Sequence, residues 1–254
     1  MSTRARLITI PISHYCEKAR WALDFHHFPY DEEAHFPGFH FRATFGVGAK
    51  RTVPVLVTQD GVFADSTDIL TYVDRAASSS SSRLYPEDAA KRKAVEELED
   101  FFDEKYGPHT RRLAYFHVLP QFRRLSGYMA RGTPAYEAPI VSVVGPALVF
   151  AMKRSLAIDA AGAQRSRQKI EEAFRRVEER LARGTRYLTG DTFTAADLTF
   201  AALSTPLTFP AEAGAPLPKM EELPSAFRED LAAYAKRPAF QYAQRLFREE
   251  RRSR

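Results

Sequence analysis

The first residues with chemical potential form the segment Ser13-His14-Tyr15-Cys16, which lies where a short apolar run gives way to a helical pattern. Backbone N–H groups at the start of a helix stabilise an anion, and the same position lowers the pKa of a thiol. A hydroxyl there can donate a hydrogen bond to a bound thiolate. Two interpretations remain open for these residues alone. They form a thiol site, or Ser13 caps the helix and Cys16 packs in the core, which is the commoner case.

Two further segments carry the same ambiguity. Val53-Pro54 precedes a strand, a place where proline is tolerated because it lacks an N–H. Asp65-Ser66 opens a helix, where it caps the chain or holds a carboxylate with its hydroxyl and backbone N–H groups. In isolation, each segment is explained by local structure more readily than by a site.

The elements around these segments alternate between strands and helices. Apolar and β-branched runs predict strands over 7–10, 30–35, 53–57 and 62–64, with Asp60-Gly61 as a hairpin turn. Helical spacing predicts helices over 15–27 and from 65 onward, with a loop and a short helix over 36–48. The order indicates a small α/β domain.

A run of five serines, residues 78–82, separates this part from the rest. Such runs bury nothing and act as flexible connections. We therefore divide the chain into a domain over 1–77, a linker over 78–86 and a helical domain over 87–254. Within the latter, residues 194–197 resemble a capping box, with Phe193 placed to contact Leu198.

Composition excludes several classes of protein. The 254 residues are 44% hydrophobic and 27% charged, and they contain a single cysteine. One cysteine cannot form an internal disulfide or a four-cysteine zinc site, and we predict no metal. The apolar stretch over 7–12 is too short for an export signal, so we expect a cytoplasmic protein.

Charge does not indicate a nucleic-acid partner. The formal net charge is +5, and residues 244–254 contain five of the arginines, which we expect to form a solvated tail. Nucleic-acid binding requires a basic face with aromatic or groove-reading partners, which this pattern lacks.

The most apolar run of the chain lies within residues 139–152. A membrane-spanning helix needs about 20 apolar residues, so we predict no integral membrane segment. We expect a buried core helix, with a dimer contact or a membrane-surface contact as alternatives.

Taken together, the motifs resemble the cytosolic glutathione S-transferase family. The resemblance rests on residues 12–23 (ISHYCEKARWAL), 52–56 (TVPVL), 64–70 (ADSTDIL) and 193–198 (FTAADL), in that order. It implies a thioredoxin-like α/β N-terminal domain, an all-α C-terminal domain and a cis peptide bond before Pro54. It also implies a homodimer that uses glutathione as co-substrate, with a role in detoxification.

The resemblance further assigns roles to single residues. Ser13 matches the position of the catalytic serine or cysteine and would donate to the glutathione thiolate. Val53, beside Pro54, would pair with the cysteinyl backbone of glutathione. Asp65 and Ser66 would hold the γ-glutamyl end. Lys50 or Arg51 would reach the glycyl carboxylate.

Departures from the family pattern keep alternatives open. Ser13 and Cys16 form Ser-x-x-Cys instead of Cys-x-x-Cys, which disfavours dithiol exchange and favours conjugation of glutathione to small apolar electrophiles or peroxide reduction. Thiol transfer or deglutathionylation by Cys16, and a non-catalytic binding or scaffold role, are the alternatives. His14 replaces a common proline and would compete as a proton partner near neutral pH.

The chain is longer than common family members, and the excess lies near residues 107–165. This region would shape the pocket for the second substrate. Its aromatic residues are either pocket lining or plain core. They include Tyr106, Tyr115, Phe116 and Tyr128.

Overall fold

The computed structural model describes residues 4–77 and 83–251. The serine run over 78–82 lies outside the described residues. Within those that are described, the chain forms four strands and eleven α-helices. In chain order they are β1 (Ala5–Thr9), α1 (His14–Phe25), β2 (Tyr30–Ala34), α2 (His40–Gly46), β3 (Val55–Thr58), β4 (Gly61–Phe63), α3 (Ser66–Ala76), α4 (Ala89–Lys105), α5 (Gly107–Val118), α6 (Phe122–Met129), α7 (Glu137–Ser155), α8 (Ala160–Leu181), α9 (Ala195–Thr208), α10 (Ser225–Tyr234) and α11 (Pro238–Glu250).

The four strands form one mixed sheet in the order β2-β1-β3-β4. β2 is parallel to β1, while β3 and β4 are antiparallel to their neighbours. Leu7 of β1 lies between Glu32 and Leu56, and it is fully buried. Leu23 of α1 and Ile69 of α3 belong to the same core cluster. This is the arrangement expected of the thioredoxin-like domain.

The helical part is built around α9, which is buried along nearly its whole length. The predicted capping box at its start is present, because Asp197 Oδ2 accepts from the Thr194 backbone N–H at 2.9 Å. Asp197 Oδ1 accepts from the Leu188 N–H at 2.9 Å and from the Tyr242 hydroxyl at 2.6 Å. One carboxylate therefore ties α9 to α11 and to the loop before it.

A buried charge network joins the sheet domain to the helical part. The Lys18 ammonium on α1 lies 2.5 Å from Asp103 Oδ2 and 2.9 Å from Glu99 Oε1, both on α4. It also donates to Thr67 Oγ1 on α3 at 3.0 Å. Burial lowers the pKa of Lys18, but the two carboxylates outweigh that effect and raise it. Because the ammonium contacts both carboxylates, the network joins α1 and α3 to α4.

The apolar run over 139–152 is not a buried core helix, which corrects the sequence expectation. It lies in α7, where only Glu137, Val141 and Gly145 are buried. Among the described residues α7 is the one helix long and apolar enough to cross a membrane by length and composition, and 11% of its apolar window is buried. α6 is the helix that packs most closely against α7, on the side of α7 that contains Val141 and Gly145, and the opposite side of α7 is left uncovered.

The C-terminal arginines do not all form a solvated tail. Arg251 is buried, with its Nε 2.8 Å from Glu17 Oε1 and a terminal nitrogen 2.9 Å from Asp24 Oδ2. Burial opposes the charged form, but these two carboxylates raise the pKa of Arg251. The end of the described chain is thus anchored to the first helix.

Candidate functional site

Ser13 is the residue that starts α1. Its backbone is extended and its Oγ accepts from the Cys16 N–H at 3.4 Å, as a capping residue does. The remaining N–H groups of the first turn point out of the helix start, where they favour an anion. Ser13 is half-buried, and its side chain also hydrogen-bonds the Cys16 side chain, which lowers the pKa of that thiol. Ser13 is not among the residues that line the two cavities described below.

The predicted Val53-Pro54 and Asp65-Ser66 segments meet at one cavity of about 550 Å³. The Val53–Pro54 peptide bond is cis, as the family resemblance implies. Neither the N–H nor the C=O of Val53 has a hydrogen-bond partner among the described residues. The cavity is lined by Tyr15, Thr52, Val53, Pro54, Ala64, Asp65, Ser66, Thr67, Asp68, Asp100, Asp103, Glu104 and Arg111.

The start of α3 forms one end of this cavity. Asp65 is exposed and its Oδ1 accepts from the Thr67 N–H at 2.8 Å, while Ser66 is buried at the first helical position. Such a helix start offers N–H groups and one hydroxyl to a carboxylate. The structure therefore brings together Val53, Pro54, Asp65 and Ser66.

The opposite wall of the cavity is acidic. It includes Asp100, Asp103 and Glu104 of α4, of which Asp103 also binds Lys18. Burial raises the pKa of Asp103, although the Lys18 ammonium opposes that effect. The second carboxylate oxygen of Asp103 is buried without a hydrogen-bond partner among the described residues. This wall favours a cationic group of a ligand.

Cys16 faces the core instead of the cavity. Its side chain is 0% exposed, and burial raises the pKa of the thiol despite the opposing charge of Arg20. A buried thiol with a raised pKa is a poor nucleophile. Its position suits the packing interpretation.

His14 is also buried, and its Nε2 lies 2.9 Å from the Gly107 carbonyl oxygen. A carbonyl only accepts, so Nε2 carries the proton. Burial and the charge of Arg111 lower the pKa of His14 to about 3, against a smaller opposing effect of the Gly107 carbonyl. This low pKa argues against the predicted role of His14 as a proton partner near neutral pH.

Tyr15 lines the cavity, although the sequence analysis assigned it no role. Its hydroxyl donates to the Asp103 carbonyl at 2.7 Å. Burial, with the charge of Asp103, raises the pKa of Tyr15, so the hydroxyl stays protonated. The available signal was a tyrosine two residues after the predicted serine.

A second, smaller cavity of about 70 Å³ lies beside the first and is mainly apolar. Of the predicted pocket residues, Tyr115 lines it together with Tyr128. Tyr106 does not, because it is fully buried in the helical core with its hydroxyl 2.8 Å from Ser204 Oγ. Phe116 is not among the lining residues and packs against the core clusters.

Arg111 of α5 is a site residue that sequence reasoning missed. It lines both cavities and lowers the pKa of its neighbour His14 by its charge. The signal was weak: Arg111 and Arg112 follow the Gly107-Pro108 start of a helix, and nothing in the spacing shows which one points inward.

Lys50 and Arg51, which we predicted to reach the glycyl carboxylate, lie outside the lining of the first cavity. Both residues are exposed, and neither is among the lining residues. The Arg51 guanidinium lies 6.0 Å from the Phe41 ring centre, and the Arg51 carbonyl oxygen lies 3.0 Å from His40 Nε2. Among the described residues no cluster of three metal-ligating side chains occurs.

Comparison with known proteins identifies the family. A model of the glutathione S-transferase N-terminal domain matches residues 7–81, and one of the C-terminal domain matches residues 160–237. No relative among curated protein sequences matches the chain.

Solved structures share the fold at low identity. A glutathione S-transferase from Rhodospirillum rubrum F11 is 23% identical over 94% of this chain and 91% of its own, with a TM-score of 0.59. One from Methylobacterium radiotolerans JCM 2831, in complex with glutathione sulfonate, is 20% identical over 95% and 94%, with a TM-score of 0.55. A β-etherase from Sphingobium sp. strain SYK-6 is 17% identical over 95% and 98%, with a TM-score of 0.61. The two domain matches and the shared fold establish that this chain belongs to the glutathione S-transferase family.

Proposed function

We propose that this chain is a glutathione transferase that conjugates the glutathione thiolate to small, mainly apolar electrophiles. One observation carries the proposal. The unpaired backbone of Val53 and the start of α3 line a single cavity, and Arg111 connects that cavity to an apolar one.

The first cavity fits the functional groups of glutathione. The backbone N–H and C=O of Val53 pair with the cysteinyl backbone, as adjacent strands pair. Ser66 and the N–H groups at the start of α3 hold the γ-glutamyl carboxylate. Asp65 accepts from the γ-glutamyl ammonium, and the exposed carboxylates of Asp100 and Glu104 on the same cavity wall add favourable charge.

The thiol then lies toward the start of α1. Its proton leaves to solvent, because His14 is too weak a base to hold it. The Ser13 hydroxyl donates to the remaining thiolate, and the charge of Arg111 adds to its stabilisation. The sulfur lone pair forms the bond to the electrophilic carbon, and the leaving group departs with the bonding electrons.

The same thiolate would reduce a peroxide. Its lone pair attacks one oxygen, the O–O bond breaks and the other oxygen leaves as an alkoxide that takes a proton. A second glutathione then displaces hydroxide from the sulfenic acid, giving glutathione disulfide and water. The small apolar cavity restricts the second substrate of either reaction to compact molecules.

The alternative in which Cys16 transfers thiols is supported less well, because its side chain is fully buried and its thiol pKa is raised. A binding or scaffold role would need neither turnover nor bound glutathione, so the glutathione-binding measurement below distinguishes it.

The family membership also supports proposals about localisation, oligomeric state, biological role and domain boundaries. We take the chain to be a cytoplasmic homodimer with a role in detoxification. We further propose a glutathione-binding domain over residues 1–77, a linker over 78–86 and a helical domain over 87–254. Light scattering on the purified chain tests the dimer.

The decisive experiment compares Ser13→Ala with Cys16→Ser in a conjugation assay with a small aryl halide. Loss of one donor to a developing or bound anion costs about a hundredfold in kcat. We expect Ser13→Ala to lose turnover to that extent and Ser13→Thr to retain part of it, while Cys16→Ser stays active. Retention on immobilised glutathione reports that the variants still fold and bind.

Three outcomes contradict the proposal. Unchanged turnover in Ser13→Ala removes the assigned role of the hydroxyl. Lost thiol transfer in Cys16→Ser, with Ser13→Ala harmless, establishes the Cys16 alternative. Failure of the wild-type chain to bind glutathione, measured by calorimetry, favours the scaffold alternative.

A further inference from the structure

The outer face of α7 is apolar and uncovered. Val143 and Phe150 are 79% and 71% exposed, and Ile140 and Val144 are 43% and 41% exposed. Spacings of three, four and seven residues place these side chains on one side of the helix. A contiguous apolar face of this kind marks a site of contact with another body.

The inner face of α7 fixes which side points outward. Val141 and Gly145 are buried and belong with Phe122 of α6 and Phe36 to one packed region. A Cβ atom on Gly145 would lie 2.9 Å from the Phe122 ring, so the two helices are in close contact there. The outer face is therefore left exposed by tertiary packing.

The chain around α7 is strongly basic. Residues 107–158 contain seven Lys or Arg and one acidic residue, a formal charge of +6 that exceeds the +5 of the whole chain. The acidic residue, Glu137, is buried against His35 and takes no part in the surface. Among the described residues no ion pair is formed by the exposed cations of this segment, which are Arg123, Arg124, Arg131, Lys153 and Arg154.

The apolar outer face of α7 and the positive charge of the surrounding segment together indicate the kind of partner. A second copy placed on this face would bring an equal positive charge against it, which costs association energy. An anionic lipid surface offers opposite charge beside an apolar interior, and each Lys or Arg near such a surface gains about 1 kcal/mol.

We propose that residues 107–158 dock this protein on the surface of a membrane that contains anionic phospholipid. α7 lies in the plane of the interface with Val143 and Phe150 among the acyl chains, since its inner face stays packed on α6. Lys153 and Arg154 at its end meet the headgroups. This proposal is independent of the catalytic one.

A groove between α6 and α7 adds a second contact. It measures about 840 Å³, and Phe122, Val141 and Val149 are among its apolar lining. Arg123 and Arg124 line it as well and are exposed. One acyl chain fits along such a groove while its phosphate meets the two guanidinium groups.

The test is flotation of the full chain with vesicles. We expect binding to vesicles of phosphatidylcholine mixed with phosphatidylglycerol, weak binding to phosphatidylcholine alone, and release at high salt. Light scattering without vesicles measures self-association in parallel.

Variants separate the apolar and the charged contributions. Val143→Asp with Phe150→Asp should lower partitioning about a hundredfold, because two inserted apolar side chains are lost. Arg123→Gln with Arg124→Gln should lower it about tenfold or more. Val62→Asp on β4 is the matched control, an exposed apolar residue outside the segment, and should bind as wild type.

Both α7 residues are exposed, so the variants should fold. Circular dichroism and retention on immobilised glutathione check this. The proposal is overturned by absence of vesicle binding, by binding that the α7 variants leave unchanged, or by equal loss in Val62→Asp. An α7-dependent dimer without vesicle binding would assign the face to a second copy and would overturn it as well.

Discussion

Helices α7 and α9 are built from similar residues and lie in opposite environments. Both are apolar and each contains one internal proline, Pro146 or Pro206. α9 is buried at thirteen of its fourteen positions, whereas α7 is buried at three of nineteen. Because the two helices are similar in composition, their difference in burial comes from the helices packed around them. α9 packs against α1, α4, α5 and α11, whereas α7 packs mainly against α6.

Each helix is nevertheless fixed by one buried acid in its first turn. Asp197 of α9 and Glu137 of α7 both accept from a backbone N–H outside their helix, that of Leu188 at 2.9 Å and that of Phe36 at 2.7 Å. The lesson is that a polar anchor sets where an apolar helix begins, and the number of packing partners sets whether it is covered.

The largest expected effect is on the anchor of α9. Asp197→Ala leaves the N–H groups of Leu188 and Thr194 and the Tyr242 hydroxyl without their acceptor in the core. We expect the free energy of unfolding to fall by about 3–5 kcal/mol. Urea titration followed by circular dichroism measures it. Asp191→Ala, on an exposed side chain nearby, is the control, and equal losses in the two variants would contradict the assigned role.

The anchor of α7 should matter less for global stability. Glu137→Ala removes the acceptor of the Phe36 N–H and the partner of His35 Nδ1 at 2.6 Å. We expect a loss of about 2–3 kcal/mol in the same titration. Glu137→Gln, which keeps an acceptor for Phe36, should recover part of it. A larger loss than for Asp197→Ala would reverse the comparison.

The stability that the Glu137–His35 contact contributes should also depend on pH. Burial lowers the pKa of His35, but its hydrogen bonds to the Glu137 and Glu33 carboxylates outweigh that effect and raise the pKa. Its stabilising contribution is therefore complete below the unfolded value of about 6.5 and is lost as pH rises through the folded pKa.

The measurement is the difference in unfolding free energy between wild type and Glu137→Gln, taken from about pH 6 to about pH 9. Taking a difference removes the contributions of the other histidines. We expect the difference to shrink with rising pH, by less than the full loss in Glu137→Ala. A difference that is constant, or that grows, would show that His35 and Glu137 are not coupled.

The smallest effect is expected on the outer face of α7. Val143→Ser and Phe150→Ser should each change the unfolding free energy by less than about 0.5 kcal/mol, since both side chains are already exposed. Leu198→Ser in α9 is the matched buried substitution and should cost several times more. Losses of similar size in both helices would mean that α7 is covered in solution.

The local features of the fold were predictable from sequence because short-range rules set them. The strand pattern around Leu7, the turn at Gly61 and the capping box at Thr194 depend on residues a few positions apart. The exposure of α7 was not predictable, because periodicity does not show how many elements will surround a helix.

For the candidate site, too, positions set by local motifs were predictable from the sequence, and positions set by tertiary packing were not. Val53, Asp65 and Ser66 are at backbone positions that motifs define, and the structure places them in one cavity. Arg111 lies in the cavity wall and Tyr106 lies in the core. Where these two side chains point depends on how α5 and the end of α4 are rotated, which tertiary packing determines.

The ion pairs of Arg251 have a consequence for the order of synthesis. Glu17 and Asp24 belong to α1 and are made early, yet the guanidinium they bind is 227 or more residues later in the chain. During translation these two carboxylates lack that partner until residue 251 has left the ribosome. We expect the first domain to acquire its full rigidity only after translation has passed α11, with the helical part closing over it last.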